Sequence, residues 1–438
     1  MAAATHKKMN PDSNGLQEAQ HLHLSRWSHL LEKRNMSNNF LKHKMILPVS
    51  LMIPLALSCT ASLGIDESEG SPESTFSSNG SADVLAIALV NGERDSVKIL
   101  EYDGNCLREK SQINEFVDNP RSIAIRDDKR EAIVAYGAVD RPSGVLVLEL
   151  ELEDNSAVVK QNLQFDFQAL PNGIAYEDDN KAVVMGGVSQ IDVMIPILRD
   201  SGGLFRTGDT TEVAGDFVVD AGNAGDTPLL LRGNPGTGDP LELWSLESDA
   251  ESYSLVGSPL LFEGVHELSA HPTLPTAYVS AKDPEKLFGD LEPKGFLHVV
   301  ESRDGSATLV SSFEMPGEGT QLDVSPDGDF IVTDVALGQL DQNGRPETRA
   351  RTIQVVDLNQ SGIPTGATLV EAEIPMLLMH DIKVAPNNNI VLSIERIAAE
   401  STPETQNPLS IVRVNGDQIT ETCQDLHLGG QVVMEFVE

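Results

Sequence analysis

The chain has 438 residues, of which 67 are acidic and 31 basic, so its formal net charge is -36. A field of this sign repels nucleic acid phosphates and anionic lipid surfaces, and it excludes a nucleic-acid partner. The length is too great for one packed core, but it suits a radial repeat in which each unit buries its faces against its neighbours.

An apolar run from Met45 to Ser58 precedes the acidic part of the chain. Its roughly 14 residues are too few to span a hydrocarbon core of about 30 Å as a helix, so we expect no permanent transmembrane helix. Lys42 and Lys44 come just before the run and Cys59 just after it, which is the order of a signal peptide. The segment LALSC that ends at Cys59 resembles the lipobox of bacterial lipoproteins, and this resemblance implies a lipid on Cys59. The alternative is cleavage by an ordinary signal peptidase, which leaves Cys59 as a free thiol.

The stretch after Cys59 is rich in Ser, Gly, Glu and Asp and has almost nothing to bury, which is typical of a flexible tether. We expect residues 1–35 to be a mispredicted start or a disordered extension, 36–58 a signal peptide, 59–82 the tether and 83–438 a folded domain. The expected location is the cell envelope: an exported protein, anchored by its lipid to a bacterial membrane on the periplasmic side or at the cell surface.

One pattern recurs along the folded domain: an alternating strand, a turn rich in Pro, Asp or Asn, a second strand, a loop and two more strands. The clearest copies begin at His266 (HELSAHPTLPTAYVSA), Thr320 (TQLDVSPDGDFIVTDV) and His380 (HDIKVAPNNNIVLSIE). Weaker copies begin at Arg121, Asn172 and Asp216. The spacing of about 45–60 residues predicts an all-β fold, a β-propeller of four-stranded antiparallel blades.

The two ends of the domain predict a seventh blade. Val84–Val90 (VLAIALV) has the pattern of a second strand with no first strand before it, and Gln431–Val437 (QVVMEFV) has that of a first strand with nothing after it. If the C-terminal strand pairs into the N-terminal blade, the ring closes and no edge stays open.

The units LDVSPDGDFIVTDV and TIQVVDLN resemble the repeats of the lactonase-like, YVTN and TolB-type seven-bladed propellers. Similar patterns cover most of residues 83–438. The turn Ser325–Gly328 is the most typical copy, and its physical role is to reverse the chain between two strands. The resemblance therefore implies a fold and no particular active site.

Cysteine is sparse, with three residues in the whole chain. If Cys59 carries lipid, Cys106 and Cys423 remain, near opposite ends of the domain. Ring closure places them in neighbouring outer regions of the first and last blades, where an oxidising envelope allows a disulfide. Two unrelated thiols are the alternative.

The loop before the first strand of a blade and the loop between its second and third strands emerge on the same face, which we call the loop face. The second-to-third loops are predicted to be long in the last three blades, at 283–295, 338–351 and 397–408. Long loops on one face of a rigid scaffold are a usual place for binding, so we expect the binding site on this face.

The residues that open the first strands are expected around the mouth of the central channel. These candidate binding residues are Arg121, Asn172, Asp216, His266, Thr320 and His380. His266 and His380, with Asp216, Glu267 and Asp381 nearby, could bind a divalent transition metal through imidazole and carboxylate groups. The alternative is a polar channel lining, and we expect no other cofactor. The Asp, Asn and Gly clusters at 327–329, 341–344 and 387–389 are interpreted as turns, because none has a full EF-hand loop.

The favoured function is a binding scaffold: a monomeric propeller whose loop face meets an envelope or extracellular protein, or a ligand. The first alternative is a hydrolase of the lactonase type, with a His as general base beside Arg121 as the anion contact. No catalytic residue is assigned, because the chain has neither a G-x-S-x-G elbow nor an HExxH motif. The second alternative is a structural repeat protein without a ligand.

Overall fold

A computed structural model of the chain describes residues 83–437 apart from gaps at 93–94, 115–117, 139–140, 167–169, 189–190, 215–217, 234–239, 283–294, 318, 341–345, 371–377, 396–406 and 416–417. The chain divides into two units, Met1–Thr75 and Phe76–Glu438, and every described residue lies in the second. The predictions for the leader, Cys59 and the tether therefore lie outside the described residues. Within the described part every regular element is a β-strand, and no helix there is long and apolar enough to cross a membrane.

The described residues form thirty strands in seven antiparallel sheets, the blades of the propeller. Blade 1 contains β1 (Val84–Gly92), β2 (Ser96–Tyr102), β3 (Leu107–Ile113) and the last strand, β30 (Gly430–Phe436). Blade 2 contains β4 (Pro120–Ile125), β5 (Glu131–Tyr136), β6 (Gly144–Glu151) and β7 (Ser156–Gln164). Blade 3 contains β8 (Leu170–Asp178), β9 (Lys181–Val188) and β10 (Ile191–Arg199), with β11 (Phe205–Thr207) and β12 (Thr211–Ala214) sharing its outer edge.

The remaining blades follow the same order. Blade 4 contains β13 (Val218–Ala224), β14 (Thr227–Arg232), β15 (Leu241–Ser248) and β16 (Tyr253–Phe262). Blade 5 contains β17 (Val265–Ala270), β18 (Thr276–Lys282), β19 (Gly295–Arg303) and β20 (Ser306–Met315). Blade 6 contains β21 (Leu322–Val324), β22 (Phe330–Leu340), β23 (Pro346–Leu358) and β24 (Pro364–Leu369). Blade 7 contains β25 (Leu378–Val384), β26 (Ile390–Glu395) and β27 (Pro408–Asn415), with β28 (Gln418–Glu421) and β29 (Leu426–His427) at its outer edge.

The C-terminal strand closes the ring. The strand order in blade 1 is β3-β2-β1-β30, and β30 pairs with β1 from Ala86↔Phe436 to Gly92↔Gly430. The innermost strands β4, β8, β13, β17, β21, β25 and β30 contact one another in turn around the ring. The predicted seven-bladed propeller, closed by its last strand, is confirmed.

The core is divided among the interfaces between blades. Strand β5 shows why, because all six of its residues are buried and successive side chains point to opposite faces of the sheet. Ile133 packs with residues of blade 3 such as Val184, whereas Val134 packs with residues of blade 1 such as Ile87. The seven hydrophobic clusters each join two neighbouring blades in this way. A blade therefore depends on both of its neighbours to bury its two faces.

Two further links lie at the seam between blades 7 and 1. A disulfide joins Cys106, in the β2–β3 turn, to Cys423, just after β28, with the Cα atoms 5.4 Å apart. The hydroxyl of Tyr102 lies 2.8 Å from Asn387 Oδ1 and accepts a hydrogen bond of 2.8 Å from Asn389 Nδ2. Both asparagines belong to the β25–β26 turn, so the amide side chains of this turn connect blade 7 to blade 1.

The second-to-third connection of blade 6 differs from the prediction. Residues 338–351 are predicted to be a loop, but β22 and β23 continue to pair as far as Leu340↔Pro346, with a register shift between Leu337 and Gly338. Pairing of the two strands satisfies the backbone hydrogen-bonding groups of this polar segment. A hydrophobic pattern alone does not predict such pairing. The other two predicted loops, 283–295 and 397–408, lie almost entirely outside the described residues.

Candidate functional site

Five of the seven innermost strands have a β-bulge near the end at which the chain enters from the loop face. The extra residue of the bulge is Arg121 in blade 2, Asn172 in blade 3, Val219 in blade 4, His266 in blade 5 and His380 in blade 7. Four of the candidate binding residues therefore occupy one equivalent position. A bulge leaves its extra residue out of the regular ladder and redirects its side chain, and bulges are frequent beside active sites.

Two other candidates differ from this pattern. Asp216 lies outside the described residues, and the bulge of its blade falls three positions later, at Val219. Thr320 occupies the equivalent place in blade 6, but its backbone N–H donates to Asp334 Oδ1 at 2.8 Å and its hydroxyl lies 2.9 Å from the same oxygen. Thr320 therefore holds its own blade together. The backbone of His266 is in β17, and its side chain is outside the described part.

Arg121 and Asn172 form a polar chain across three blades. Arg121 Nη1 donates to Asn172 Oδ1 at 3.1 Å, and Asn172 Nδ2 donates to the carbonyl of Val218 in blade 4 at 2.8 Å. Solvent reaches the Arg121 side chain, yet burial lowers the pKa of its guanidinium. Among the described residues, no carboxylate lies within ion-pairing distance of Arg121, whereas Arg126 has three and Arg232 has two.

His380 lies in a different environment from Arg121, although it shares the bulge position. Its side chain is only 9% exposed, and its Nε2 is 3.9 Å from Glu395 Oε2 in the same blade. Burial lowers the pKa of the imidazole, and Glu395 and Asn407 oppose that shift only in part. The imidazole is therefore neutral at neutral pH. Within the described part of the chain, no hydrogen bond or ion pair connects His380 with Arg121.

Acidic side chains on the innermost strands link successive blades. Each accepts a hydrogen bond from a backbone N–H of the next innermost strand. The pairs are Asp220 with Leu268 at 3.0 Å, Glu267 with Leu322 at 2.6 Å, Asp323 with Val384 at 2.8 Å, and Asp381 with Met434 at 2.8 Å. These bonds satisfy backbone donors that the ladders within the blades leave open, so these carboxylates are part of the scaffold.

Lys383 lies among these acids. Its Nζ is 2.8 Å from Glu435 Oε2 and 3.7 Å from Asp323 Oδ1. Burial lowers the pKa of the ammonium, but Glu435, Asp323 and Asp381 outweigh burial and hold that pKa well above its ordinary value. Burial also raises the pKa of Asp220 and of Asp323 to about 6 and that of Asp381 to about 7. One lysine therefore balances only part of the acidic charge enclosed by the inner strands.

The acidic candidates for metal binding that the structure describes contact neighbouring blades, and a site that includes Asp216 or the side chain of His266 stays a prediction, because both lie outside the described part. Asp381 follows His380 in the strand, but its carboxylate contacts β30, whereas the imidazole faces Glu395. Glu267 contacts blade 6. No group of three or more His, Cys, Asp or Glu side chains that could hold a metal occurs among the described residues. The sequence analysis does not predict these four acid-to-backbone links, although acidic residues recur directly after the bulge, at Asp220, Glu267 and Asp381.

Fold and site together define a closed seven-bladed propeller with β-bulges at the loop-face end of five innermost strands. No family model matches the chain, and no curated protein matches it. Among solved structures, a 6-phosphogluconolactonase described as putative, from Bacteroides uniformis, is similar with a TM-score of 0.59 and 13% identity, over 81% of this chain and 100% of that one.

Two further solved structures are similar to the chain. One from Bacteroides fragilis, described in the same way, has a TM-score of 0.55 and 12% identity, over 83% of this chain and 99% of that one. The periplasmic gluconolactonase of Pseudomonas aeruginosa has a TM-score of 0.54 and 13% identity, over 82% of this chain and 99% of that one. The chain therefore shares the fold of lactonase-like seven-bladed propellers.

Proposed function

We propose that this chain is an exported, lipid-anchored propeller that binds a small anionic ligand at the loop-face mouth of its channel. Arg121 carries the proposal, because its guanidinium is accessible to solvent and its hydrogen-bond partner is a neutral amide oxygen. An accessible guanidinium that no carboxylate of the described residues neutralises can form charge-assisted hydrogen bonds with an opposite charge. A ligand that supplies a carboxylate or a phosphate group would provide that charge.

The chemistry of arginine narrows the class of ligand. A guanidinium presents its donors in a planar fork that matches two oxygens of a carboxylate or phosphate. The chain is strongly acidic, with a net charge of -36, so an anion gains nothing from the overall field and must be held by local contacts. Asn172, fixed by its bond to the Val218 carbonyl, orients the guanidinium from one side.

The test is calorimetric titration with gluconate and with 6-phosphogluconate, the acids related to the activities named for the similar structures. We expect Arg121→Ala to weaken binding at least tenfold and Arg121→Lys to weaken it less, because the charge stays and the fork is lost. Arg108→Ala, which removes an equal charge at an exposed position, should leave the affinity unchanged. Equal affinities in the Arg121→Ala and Arg108→Ala variants would refute the assignment.

A lactonase-type hydrolase is the second candidate. A neutral imidazole with a carboxylate 3.9 Å away, as in His380 and Glu395, has the composition of a general base and its orienting group. Hydrolysis of glucono-1,5-lactone above its spontaneous rate, lost in His380→Gln and weakened in Arg121→Ala, would support this function. No turnover, together with retained binding of the acids, would leave the binding function alone.

The proposed anchoring has its own test. Metabolic labelling with a radioactive fatty acid should mark the wild-type chain and leave Cys59→Ser unmarked, with the variant released from the membrane fraction. Labelling that persists in Cys59→Ser would contradict anchoring through this residue. Crosslinking in intact cells would then show whether the loop face also meets an envelope or extracellular protein.

A further inference from the structure

Three segments of blade 7 meet at its loop-face end. His380 is the bulge residue of β25, between Met379 and Asp381. Glu395 is the last residue of β26 and pairs with Leu378 of β25. Asn407 directly precedes β27, whose Leu409 pairs with Ser393. An imidazole, a carboxylate and an amide from three adjacent strands are thus brought to one place.

Two polar atoms of this cluster are buried without a hydrogen bond. His380 Nε2 and Asn407 Oδ1 both lack a hydrogen-bond partner in the described structure. Asn407 contacts His380 and raises the pKa of the imidazole as a weak side-chain hydrogen bond would, but the contact falls outside full hydrogen-bond geometry and leaves both atoms unsatisfied. Buried polar atoms in proteins are nearly always satisfied, and an exception calls for a bound water, an ion or a functional reason.

The chemistry of the cluster suits a metal ion. His380 Nε2 makes no hydrogen bond in the described structure, and an imidazole nitrogen of this kind is a common metal ligand. Bonds from Zn²⁺ to nitrogen measure about 2.0–2.1 Å and those to carboxylate oxygen about 2.0–2.2 Å. His380 Nε2 and Glu395 Oε2 are 3.9 Å apart, slightly less than the sum of two such bonds, so one ion can be bonded to both atoms.

We propose that His380 Nε2, Glu395 Oε2 and Asn407 Oδ1 bind one divalent transition-metal ion, Zn²⁺ or Mn²⁺, at the loop-face end of blade 7. Imidazole suits Zn²⁺, and carboxylate and carbonyl oxygens suit Mn²⁺. Three protein ligands leave at least one coordination position for water or for a ligand group, as catalytic metal sites do. This site is separate from Arg121, which lies in blade 2.

The test is titration of the purified full-length chain, freed of metal by a chelator, with Co²⁺ followed by its visible absorption and with Zn²⁺ in competition. High salt suppresses binding of cations to the acidic surface. We expect one tight site, weakened by His380→Gln and by Glu395→Gln by more than the roughly 10–100-fold that loss of an outer-shell partner costs. Asp127→Asn removes one exposed carboxylate and should change nothing.

A gain of affinity separates a ligand from a merely structural side chain. Asn407→Asp keeps the size of the side chain and replaces an amide oxygen with a carboxylate, so it should tighten Co²⁺ binding and shift the absorption. Asn105→Asp adds the same charge at an exposed turn and should do neither. Equal affinity in wild type, His380→Gln and Asn407→Asp would place the cations on surface carboxylates and overturn the proposal. No tight binding at all would assign the two unsatisfied atoms to a bridging water and overturn it as well.

Discussion

Breaking the Cys106–Cys423 disulfide tests how much the seam of the ring depends on a covalent link. The bond closes a loop of 317 residues, for which the chain-entropy relation gives about 6 kcal/mol at 25 °C. Denatured chains are compact and already restricted, so this value is an upper bound, and losses of about 2–5 kcal/mol are typical. The shared sheet of β1 and β30 remains in the variant, so the ring should still form.

The assay is urea unfolding followed by tryptophan fluorescence; of the two tryptophans of the chain, Trp244 lies in blade 4 and reports the loss of the fold far from the seam. We compare the wild-type chain with a Cys106→Ala/Cys423→Ala variant, each with and without reductant. The double variant should unfold at lower urea, with a steeper dependence because its denatured state is less restricted. Reductant should lower the wild-type midpoint and leave the variant unchanged. If reductant has no effect on the wild type, and alkylation finds both thiols free, the disulfide and this reasoning are refuted.

Two further predictions concern the inner strands and the turns. The pKa of Asp381 is raised to about 7 in the folded state, against about 3.9 in an unfolded chain, so the free energy of unfolding should fall as pH rises from about 4 to about 7 and then level off. The melting temperature should be higher at pH 5 than at pH 8. This difference should become smaller in Asp381→Asn and stay the same in Asp127→Asn; an unchanged difference in Asp381→Asn would refute the assignment. Gly328 has φ +74°, and a Cβ there would lie 2.5 Å from His271 Cε1, whereas Gly305 has the same φ and open space around it. Gly305→Ala should therefore lower the free energy of unfolding by only the roughly 1–2 kcal/mol of a left-handed conformation. Gly328→Ala should lower it further, as measured by urea unfolding. Equal losses would show that the His271 side chain moves aside at no cost.

Much of the fold was open to prediction because its signals are local. Alternating apolar residues, as in VLAIALV and QVVMEFV, predict strands, and turns such as Ser325–Gly328 reverse the chain at regular intervals. The unpaired first and second strands at the two ends predicted the closing strand β30. The prediction of a loop at 338–351 in blade 6 is wrong, because the backbone pairing of a polar hairpin leaves no hydrophobic pattern in the sequence.

The site was less accessible to sequence reasoning. Aligning the repeats placed Arg121, Asn172, His266 and His380 at one equivalent position, and the structure places them at one equivalent bulge. In blade 4 the repeat pattern is weak and predicts Asp216 at this position, whereas the bulge falls at Val219. Because a bulge adds one residue to one strand, a small error of alignment changes which side chain leaves the ladder.

The sequence by itself determined the number of blades, their order and the strand that closes them, since hydrophobic alternation and turn residues act over a few neighbouring positions. Only the tertiary structure decided which polar side chains meet. Asp381 contacts Met434 of another blade, and His380, the residue next to it, faces Glu395 instead. The bulge takes His380 out of the ladder and redirects its side chain, so the partners of these two neighbouring residues are set by the packing of different strands.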